Sequence, residues 1–333
     1  MNNLLTIDSL LNQEQYSFLD KNPHLKNNIL FLTLGGSYAY GTNVETSDID
    51  IRGCAFNSKT DLLGLSSFEV FEDSNTDTVI YSINKLFNLL LSCNPNTIEM
   101  LGNKEYYRMT ECGRLLLDNK KLFLSKRAIK SFGGYAFAQL NRLVNALGRN
   151  QDEKGLRENL RRSLESNLLT MNERYTELPE GGIRYYIEND ELKCDVNLGS
   201  FPVNQFNGIL NEQSNILKTY NKLNHRNTKK DIPHLCKHAM HLIRLYMMGI
   251  DILEKEEIIT YRDGKDHDLL MRIRNGTMIN DEGEFDTSFD DLLEDYKKRF
   301  EYAVKNTSLP NNPNMKDAEE LLITINEYSI RNE

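Results

Sequence analysis

The sequence has few cysteines and lacks the long apolar runs of a membrane protein. Its 333 residues include five cysteines, which are odd in number, widely spaced and without a Cys-x-x-Cys pair. This pattern argues against a disulfide scaffold and favours reduced thiols. No apolar run approaches the roughly 20 residues that cross a bilayer, and the first residues lack the basic start and apolar core of a signal sequence. We therefore expect a soluble cytoplasmic protein without a membrane partner.

Acidic residues outnumber basic ones, but the two kinds are unevenly distributed. The formal net charge is −9, and residues 281–333 account for most of it with 14 acidic and 6 basic side chains. Residues 218–244, in contrast, hold seven basic residues and one acidic residue. Screening limits each charge to about 10 Å, so this basic segment can face a polyanion despite the total. The net charge therefore does not exclude a nucleic-acid partner.

The most informative motif comes directly after a short apolar run. Residues 29–32 and Leu34 are large and apolar, which predicts a buried strand that ends at Gly35 and Gly36. Glycines have no Cβ, so phosphates can approach the backbone N–H groups closely, and Ser37 adds a hydroxyl donor. A Gly-Gly-Ser sequence by itself is a common turn, so the prediction of a phosphate site depends on the residues downstream of it.

A pair of aspartates lies about a dozen residues further along the chain. Asp48 and Asp50 alternate with Ile49 and Ile51, which predicts a strand with both carboxylates on one face, followed by Arg52. Such a pair is often only a solvated strand face. Carboxylates together with substrate phosphates are nevertheless the ligands that Mg²⁺ prefers, and two ions about 4 Å apart can hold an attacking and a leaving oxygen. With the glycine turn, the pair predicts a nucleotide site with Mg²⁺, for which Mn²⁺ can substitute.

A third carboxylate is usually needed for such a site. Asp77 is the best candidate, because it begins a β-branched run that predicts a strand beside the Asp48 strand. Glu69 and Glu72 are less well placed alternatives. Asp195, in a predicted hairpin of residues 183–187 and 192–196, alternates with apolar neighbours but lies far along the chain.

These segments resemble the signature of the DNA polymerase β superfamily of nucleotidyltransferases, in which a Gly-Gly/Ser turn precedes an Asp-x-Asp pair and a later strand supplies a third acid. Further stretches are similar to the branch of predicted nucleotidyltransferases associated with RNA repair. They are residues 77–87, 94–101, 237–245 and 270–276. The resemblance covers roughly residues 28–280. Tyr38 departs from it, since that branch often has a basic residue after the serine.

The resemblance implies roles for individual residues. Gly36 and Ser37 would bind the triphosphate, and Asp48 and Asp50 would hold the metals. Asp77 would complete the metal site and favour deprotonation of an acceptor hydroxyl. We expect an α+β fold, in which a mixed-sheet nucleotidyltransferase domain at residues 1–122 precedes a mostly helical acceptor domain at residues 123–333 with acidic C-terminal helices.

The basic segment ends in a predicted helix that begins near Pro233. On this helix Lys237, His241 and Arg244 share one stripe, which could line a cleft and contact phosphates. A solvated helix face is the alternative. Histidines 234, 238 and 241 also have helical spacing, but no cysteine or acid accompanies them in a zinc-binding pattern.

Other positions stay open at this stage. Glu99 could contact substrate or be a solvated or capping residue near a turn in which Thr97 is the predicted helix cap. Tyr135, Gln139 and Arg142 share a helix face that could look into a cleft. Further helices are predicted at residues 82–92, in two long stretches between about 125 and 176 separated by a turn at 151–153, and at 288–305 and 315–330.

The predicted reaction is Mg²⁺-dependent transfer of a nucleoside monophosphate from a nucleoside triphosphate to a hydroxyl group, with release of pyrophosphate. The basic stripe and the resemblance favour an RNA acceptor, such as a tRNA 3′ end during repair. Transfer to a protein hydroxyl, as in AMPylation, is an alternative. A non-catalytic nucleotide sensor is a third hypothesis, against which the set of three acids argues.

Overall fold

The computed structural model describes residues 7–150, 179, 182–188, 191–224 and 231–332 of the chain. Its contacts group into two compact units. The first comprises Met1–Gln139, Ala239–Met278 and Phe285–Glu333, and the second comprises Leu140–His238 and Ile279–Glu284. None of the helices described is long and apolar enough to cross a membrane.

This grouping differs from the expected division between residues 122 and 123. The C-terminal helix belongs to the first unit because its polar side chains bond to that unit's first half. Ser329 Oγ donates to the carbonyl of Asn57 at 2.9 Å, and Asn326 Nδ2 donates to Asn84 Oδ1 at 2.9 Å. The acidic C-terminal segment is therefore part of the structure that carries the sheet.

The first unit contains a five-stranded mixed sheet with the order β3-β4-β2-β1-β5. Strand β1 is antiparallel to β2 and β5, β2 is parallel to β4, and β4 is antiparallel to β3. Together with the helices, this sheet confirms the α+β class. The strands are β1 (Ile29–Leu34), β2 (Ile51–Ala55), β3 (Val70–Asp73), β4 (Thr78–Ser82) and β5 (Tyr106–Tyr107).

Strand β1 is buried in the core, as the apolar run predicts. Its first five residues are buried, and Leu32 packs in a cluster with Ile51 and Ile80 from the neighbouring strands. Burial of such side chains contributes about 1.5–3 kcal/mol each to folding. The sheet is therefore a rigid support for the loops at its edge.

The strand register brings three chain segments to one edge of the sheet. Leu34, the last residue of β1, lies opposite Ile51, the first residue of β2. Ile51 also pairs with Thr78, the first residue of β4. The residues just after β1 and just before β2 and β4 therefore meet at the same edge. These are Gly35, Asp50 and Asp77.

The prediction that Asp48, Asp50 and Asp77 lie within strands is wrong, because each of them lies shortly before a strand begins. Asp48 and Asp50 precede β2 in an irregular segment, where Ser47 and Val44 close a turn by reciprocal hydrogen bonds of 2.9 Å. Asp77 lies in the turn between β3 and β4 with φ +46°, a left-handed conformation that aspartate tolerates better than most residues. The alternation of aspartate and isoleucine does not reveal that the hydrogen-bonded part of β2 begins only at Ile51, one residue after Asp50.

Most predicted helices of the first unit are present. Ile83–Leu91 confirms the helix expected at residues 82–92, and Thr287–Asn306 and Met315–Asn332 confirm the C-terminal pair. Thr97 is not the helix cap. Asn94 fills that position, and its side chain accepts from the Asn96 N–H at 3.0 Å. The other helices of this unit are Ile7–Leu11, Phe18–Lys21, Gly36–Tyr40, Lys59–Leu63, Pro95–Ile98, Glu111–Asp118 and Gly264–Arg274, with short 3₁₀ helices at Glu14–Tyr16, Glu99–Gly102 and Lys120–Phe123.

The second unit contains the predicted hairpin. Strands β6 (Ile183–Glu188) and β7 (Glu191–Val196) are antiparallel, and the helix Val203–Asn224 comes after them. The long helices Arg127–Asn150 and Ile232–Lys255 each contribute residues to both units. The turn at 151–153, the second long helix predicted after it, the hairpin turn at 189–190 and the basic residues of 225–230 lie outside the described residues.

Candidate active site

The glycine turn is in direct contact with Asp50. Gly35 caps the short helix Gly36–Tyr40, and its N–H donates to the Asp50 carbonyl at 2.8 Å. Gly36 has φ +54°, and a Cβ at this position would overlap the Asp50 carboxylate. Glycine is therefore required at position 36 for two reasons, backbone conformation and space. Ser37, the next residue, is partly exposed.

The two aspartates of the Asp-x-Asp pair differ in their surroundings. Asp50 is partly buried against the turn, and its carboxylate faces Gly36. Arg52 Nη2 lies 3.7 Å from Asp50 Oδ1, so a cation adjoins the inner carboxylate. Asp48 lies two residues earlier, directly after the turn closed by Ser47. In the described residues no group of three or more His, Cys, Asp or Glu side chains is placed to hold a metal by itself.

This donor set fits a metal that arrives with its substrate. Mg²⁺ is commonly held by one or two carboxylates plus substrate phosphates and water, rather than by a cage made only of protein ligands. Asp50 supplies a carboxylate directly against the glycine turn, and Asp48 lies two residues before it in the chain. The residues present therefore fit a substrate-completed Mg²⁺ site, and the metal roles of these two residues stay a prediction.

Asp77 reaches the site by its backbone. Its carbonyl accepts a hydrogen bond from Arg52 Nη1, and its side chain is exposed. Of the alternatives, Glu69 forms an exposed ion pair with Lys85 at 2.7 Å, and Glu72 is exposed on β3. Asp77 is thus the one of these three acids whose own backbone bonds to a site residue, and its role as third acid stays a prediction.

The hairpin acid and the helix face considered in the sequence add no group to this site. Asp195 lies in the second unit and accepts from Tyr186 Oη at 3.4 Å. Tyr135 Oη accepts from Asn94 Nδ2 at 3.4 Å, and Gln139 is buried. Arg142 belongs to the second unit.

Glu99 is the acid whose importance the sequence leaves open. The Tyr40 hydroxyl donates to Glu99 Oε2 at 2.8 Å, and Thr260 Oγ1 donates to the Glu99 carbonyl at 2.7 Å. Burial raises the pKa of the Glu99 carboxyl, the nearby Asp50 charge also raises it, and Arg244 and Arg52 act in the opposite direction. Glu99 remains partly exposed although protein surrounds it closely. Its carboxyl is therefore close enough to Arg244, Arg52 and Asp50 for their charges to act on it.

The helix Ile232–Lys255 brings two of its three predicted site residues together. Arg244 Nη2 lies 2.7 Å from His241 Nδ1, and Arg244 Nη1 lies 3.5 Å from the carbonyl of Gly36. Because a guanidinium only donates, His241 Nδ1 accepts, which leaves the proton of the neutral ring on Nε2. Lys237 is exposed and belongs to the second unit, so its contact with a nucleotide stays a prediction.

Arg274 is a site residue that sequence reasoning misses. It ends the helix Gly264–Arg274, and its Nη2 donates to Ser47 Oγ at 3.0 Å. Ser47 directly precedes Asp48, so Arg274 holds the segment that carries the predicted metal ligands. Residues 270–276 are one of the stretches that resemble the family, and the arginines in that stretch are the only sign in the sequence that it is functional. The sequence does not show that Arg274 contacts a loop more than 200 residues earlier in the chain.

Two of the histidines in this region have side-chain partners close to them in the chain. His234 Nδ1 lies 2.6 Å from Asp231 Oδ1 near the helix start, and both side chains are exposed. His241 is bonded to Arg244.

A family model described as the RNA repair pathway DNA polymerase beta family, RlaP, matches residues 9–324. Comparison with curated proteins and with solved structures gave no significant match. The matched region contains the glycine turn, the aspartates, Glu99 and both arginines. It confirms the resemblance drawn from the motifs and extends it beyond residues 28–280.

Proposed function

The chain belongs to the RNA repair pathway DNA polymerase beta family, and from this premise we propose that it transfers a nucleoside monophosphate from a nucleoside triphosphate to a hydroxyl group of RNA. Membership supports a nucleotidyltransferase role. The Mg²⁺ requirement, the roles of individual residues and the RNA 3′ end as acceptor are part of the proposal.

One observation carries the proposal: the contact between Gly36 and the Asp50 carboxylate at the sheet edge. This contact supports the proposal, in which phosphates approach the turn next to the predicted metal ligand Asp50. A nucleotide whose phosphates lie along the turn would have its α-phosphate close to Asp50. Positioning of this kind supplies much of the rate acceleration in phosphoryl transfer.

The proposed step conserves atoms and charge. An oxygen of the acceptor hydroxyl forms a bond to the α-phosphorus, the bond from that phosphorus to the bridging oxygen of the β-phosphate breaks, and the bridging oxygen keeps the electron pair. The hydroxyl proton goes to a base, for which Asp77 is the proposed group. The products are the extended acceptor and pyrophosphate.

Asp48, Asp50 and Asp77 would hold Mg²⁺, and one or two such ions supply charge neutralisation at the phosphates and a lower pKa for the acceptor hydroxyl. The chain's own groups do the rest. Gly36 and Ser37 bind phosphate oxygens. Arg52 positions Asp50 through an ion pair and the Asp77 turn through a hydrogen bond to its carbonyl.

Two observations favour RNA as the acceptor. The family description names an RNA repair pathway, and residues 218–244 carry a local charge of +6 at neutral pH, which suits a polyanion. Lys237 lies in this segment and is exposed on its helix. We propose that it contacts acceptor phosphates.

The test is a labelling reaction with each α-³²P nucleoside triphosphate, Mg²⁺, and cellular RNA together with cellular protein. Asp48→Ala and Asp50→Ala are the inactive controls. Label that RNase removes supports the proposal. Label that only protease removes would replace RNA with a protein hydroxyl, and nucleotide binding without any transfer would indicate a sensor. Full activity of either aspartate variant would contradict the metal-site assignment.

A further inference from the structure

Two arginines of the first unit lie close together without a carboxylate at ion-pair distance. Arg244 is 6% exposed, and Arg274 is near enough that the Arg244 charge acts on it. Burial first, and the Arg244 charge second, lower the pKa of the Arg274 guanidinium. Within the described part of the chain neither guanidinium has an ion pair within 4.0 Å. The charge of Glu99 acts on Arg244 from beyond ion-pair distance, so the two like charges are compensated only in part.

Each arginine also has a buried nitrogen that bonds to nothing in the described structure. These atoms are Arg244 Nε and Arg274 Nη1. Other nitrogens of these groups form hydrogen bonds. Arg244 donates to the Gly36 carbonyl and to His241, and Arg274 donates to Ser47. The two guanidinium groups are therefore held in place while each keeps one buried donor without a partner, a donor that a bound anion would satisfy.

The bonds of these arginines show where the site lies. Arg244 is bonded to the glycine turn, and Arg274 is bonded to the residue before Asp48. The proposed α-phosphate position lies between the same two segments. An anion that contacts both guanidinium groups is therefore adjacent to the proposed reaction centre, where the β- and γ-phosphates of a substrate extend.

We propose that Arg244 and Arg274 together form a binding site for a diphosphate group, namely the pyrophosphate portion of a nucleoside triphosphate and the inorganic pyrophosphate that leaves. The inference rests on the proposed function for its place in catalysis. Guanidinium groups bind phosphate oxygens with two parallel hydrogen bonds each, so a diphosphate can engage both arginines at once. We expect a lone phosphate, or the single phosphate of a nucleoside monophosphate, to bind less tightly, because it has fewer oxygens to share between two guanidinium groups.

This site has a consequence for the transfer step. When the bond between the α-phosphorus and the bridging oxygen breaks, negative charge collects on the departing pyrophosphate. Two fixed cations stabilise that charge, because they need no reorganisation at the moment of reaction. Arg274 would then be a substrate-binding residue that selects triphosphates over monophosphates.

The experiment is a calorimetric titration of inorganic pyrophosphate into the full-length protein at low salt without added metal. Orthophosphate is titrated in parallel. The variants are Arg274→Gln and, as a matched control, Arg272→Gln, which changes an exposed arginine on the same helix. We expect Arg274→Gln to weaken pyrophosphate binding at least tenfold, as loss of charge-assisted hydrogen bonds predicts, and Arg272→Gln to leave it unchanged. Wild-type protein should bind pyrophosphate more tightly than orthophosphate.

Melting temperatures provide a check that does not depend on the titration. Pyrophosphate should raise the melting temperatures of the wild type and of Arg272→Gln more than that of Arg274→Gln, because only a ligand that binds the folded protein stabilises it. Arg274→Lys, which keeps the charge but not the planar fork, should bind with intermediate affinity. If the wild type binds no pyrophosphate, or if Arg274→Gln and Arg274→Lys bind it as tightly as the wild type, the inference is overturned. Binding through Arg274 without any label transfer to RNA or protein would support this inference while contradicting the proposed function.

Discussion

The Arg244 guanidinium lies over the ring of Tyr40, with its central carbon 3.6 Å from the ring centroid. The hydroxyl of the same ring donates to Glu99. One buried tyrosine thus connects a cation to an acid, and its ring face and its hydroxyl serve different partners. Because Tyr40 belongs to the short helix that begins at the glycine turn, the turn and Arg244 are positioned by the same element.

This relationship predicts different effects for two substitutions of Tyr40. Tyr40→Phe keeps the ring under Arg244 but removes the hydrogen bond to Glu99, so it should lower the free energy of unfolding by about 1 kcal/mol with little change in KM for the nucleotide. Tyr40→Leu also removes the cation–π contact, worth about 0.5–2 kcal/mol, so its KM should rise several-fold. Urea unfolding and steady-state kinetics measure the two effects. A folded Tyr40→Leu protein with an unchanged KM would show that the ring does not position Arg244.

The glycine turn gives a second prediction. Gly36→Ala adds a Cβ that overlaps the Asp50 carboxylate on a backbone with φ +54°, so the turn or the carboxylate must move. We expect transfer activity to fall at least a hundredfold, since misplacement of reacting groups by about 1 Å has effects of that size. Activity is measured in the labelling assay, and far-ultraviolet circular dichroism reports whether the sheet survives.

The chain contains a matched control for that substitution. Gly134 lies in the helix Arg127–Asn150, and a Cβ there meets nothing within 4 Å. Gly134→Ala should therefore leave activity unchanged and raise stability by about 0.5–1 kcal/mol, because alanine favours the helix. Equal activity of Gly36→Ala and Gly134→Ala would remove Gly36 from the site.

Asp77 can be tested without disturbing its turn. Its positive φ suits glycine, and its contribution to Arg52 comes from the backbone carbonyl. Asp77→Gly therefore removes only the carboxylate and relieves backbone strain. If Asp77 is the third acid, kcat should fall by two orders of magnitude or more while the melting temperature stays the same or rises.

Asp73→Asn is a suitable control, because Asp73 also belongs to this hairpin. Its carboxylate accepts from the Thr76 N–H at 3.0 Å and from Thr76 Oγ1 at 2.7 Å. That variant should lose stability but keep its kcat. If instead Asp77→Gly retains full activity, the third acid is another residue, and Glu99 is then the acid closest to the site by its contacts.

Sequence reasoning predicts the elements that depend on local pattern. Strand β1 is expected from a continuous apolar run with glycines after it, and the helix of Arg244 is expected from its apolar period. The start of β2 at Ile51 is not predicted, because Asp48 and Asp50 keep the alternation although the chain there is held by a turn.

Sequence reasoning leaves open, or misses, the residues whose roles depend on distant contacts. Glu99 is left open by the sequence, and its place beside the candidate site follows from the Tyr40 hydroxyl, 59 positions earlier in the chain, which bonds to it. Arg274 is important because of Ser47, 227 positions away. Propensity and periodicity describe one helix or strand at a time. They predict the position of a side chain within its own element, but not which residue of another element it contacts.

The raised pKa of Glu99 leads to a prediction about stability and pH. Burial disfavours the charged carboxylate in the folded state, so the folded pKa lies above the usual value of 4.5. The folded protein then binds the proton more strongly than the unfolded chain. The resulting stabilisation is complete below pH 4.5 and is lost as the pH rises through the folded pKa. Glu99→Gln removes this titration.

We therefore expect the unfolding free energy of the wild type, minus that of Glu99→Gln, to fall as the pH rises from about 4 to 7 in urea titrations. The fall should be about 1.4 kcal/mol for each unit that separates the folded and unfolded pKa values. Asp61 provides a control of opposite sign. Burial would raise its pKa, but hydrogen bonds from Ser66 and Ser58 lower it below the usual 3.8. The corresponding difference for Asp61→Asn should therefore increase as the pH rises toward 3.8 from below. A Glu99 difference that also increases with pH would mean that Arg244 and Arg52 outweigh burial and hold this carboxylate charged beside Asp50.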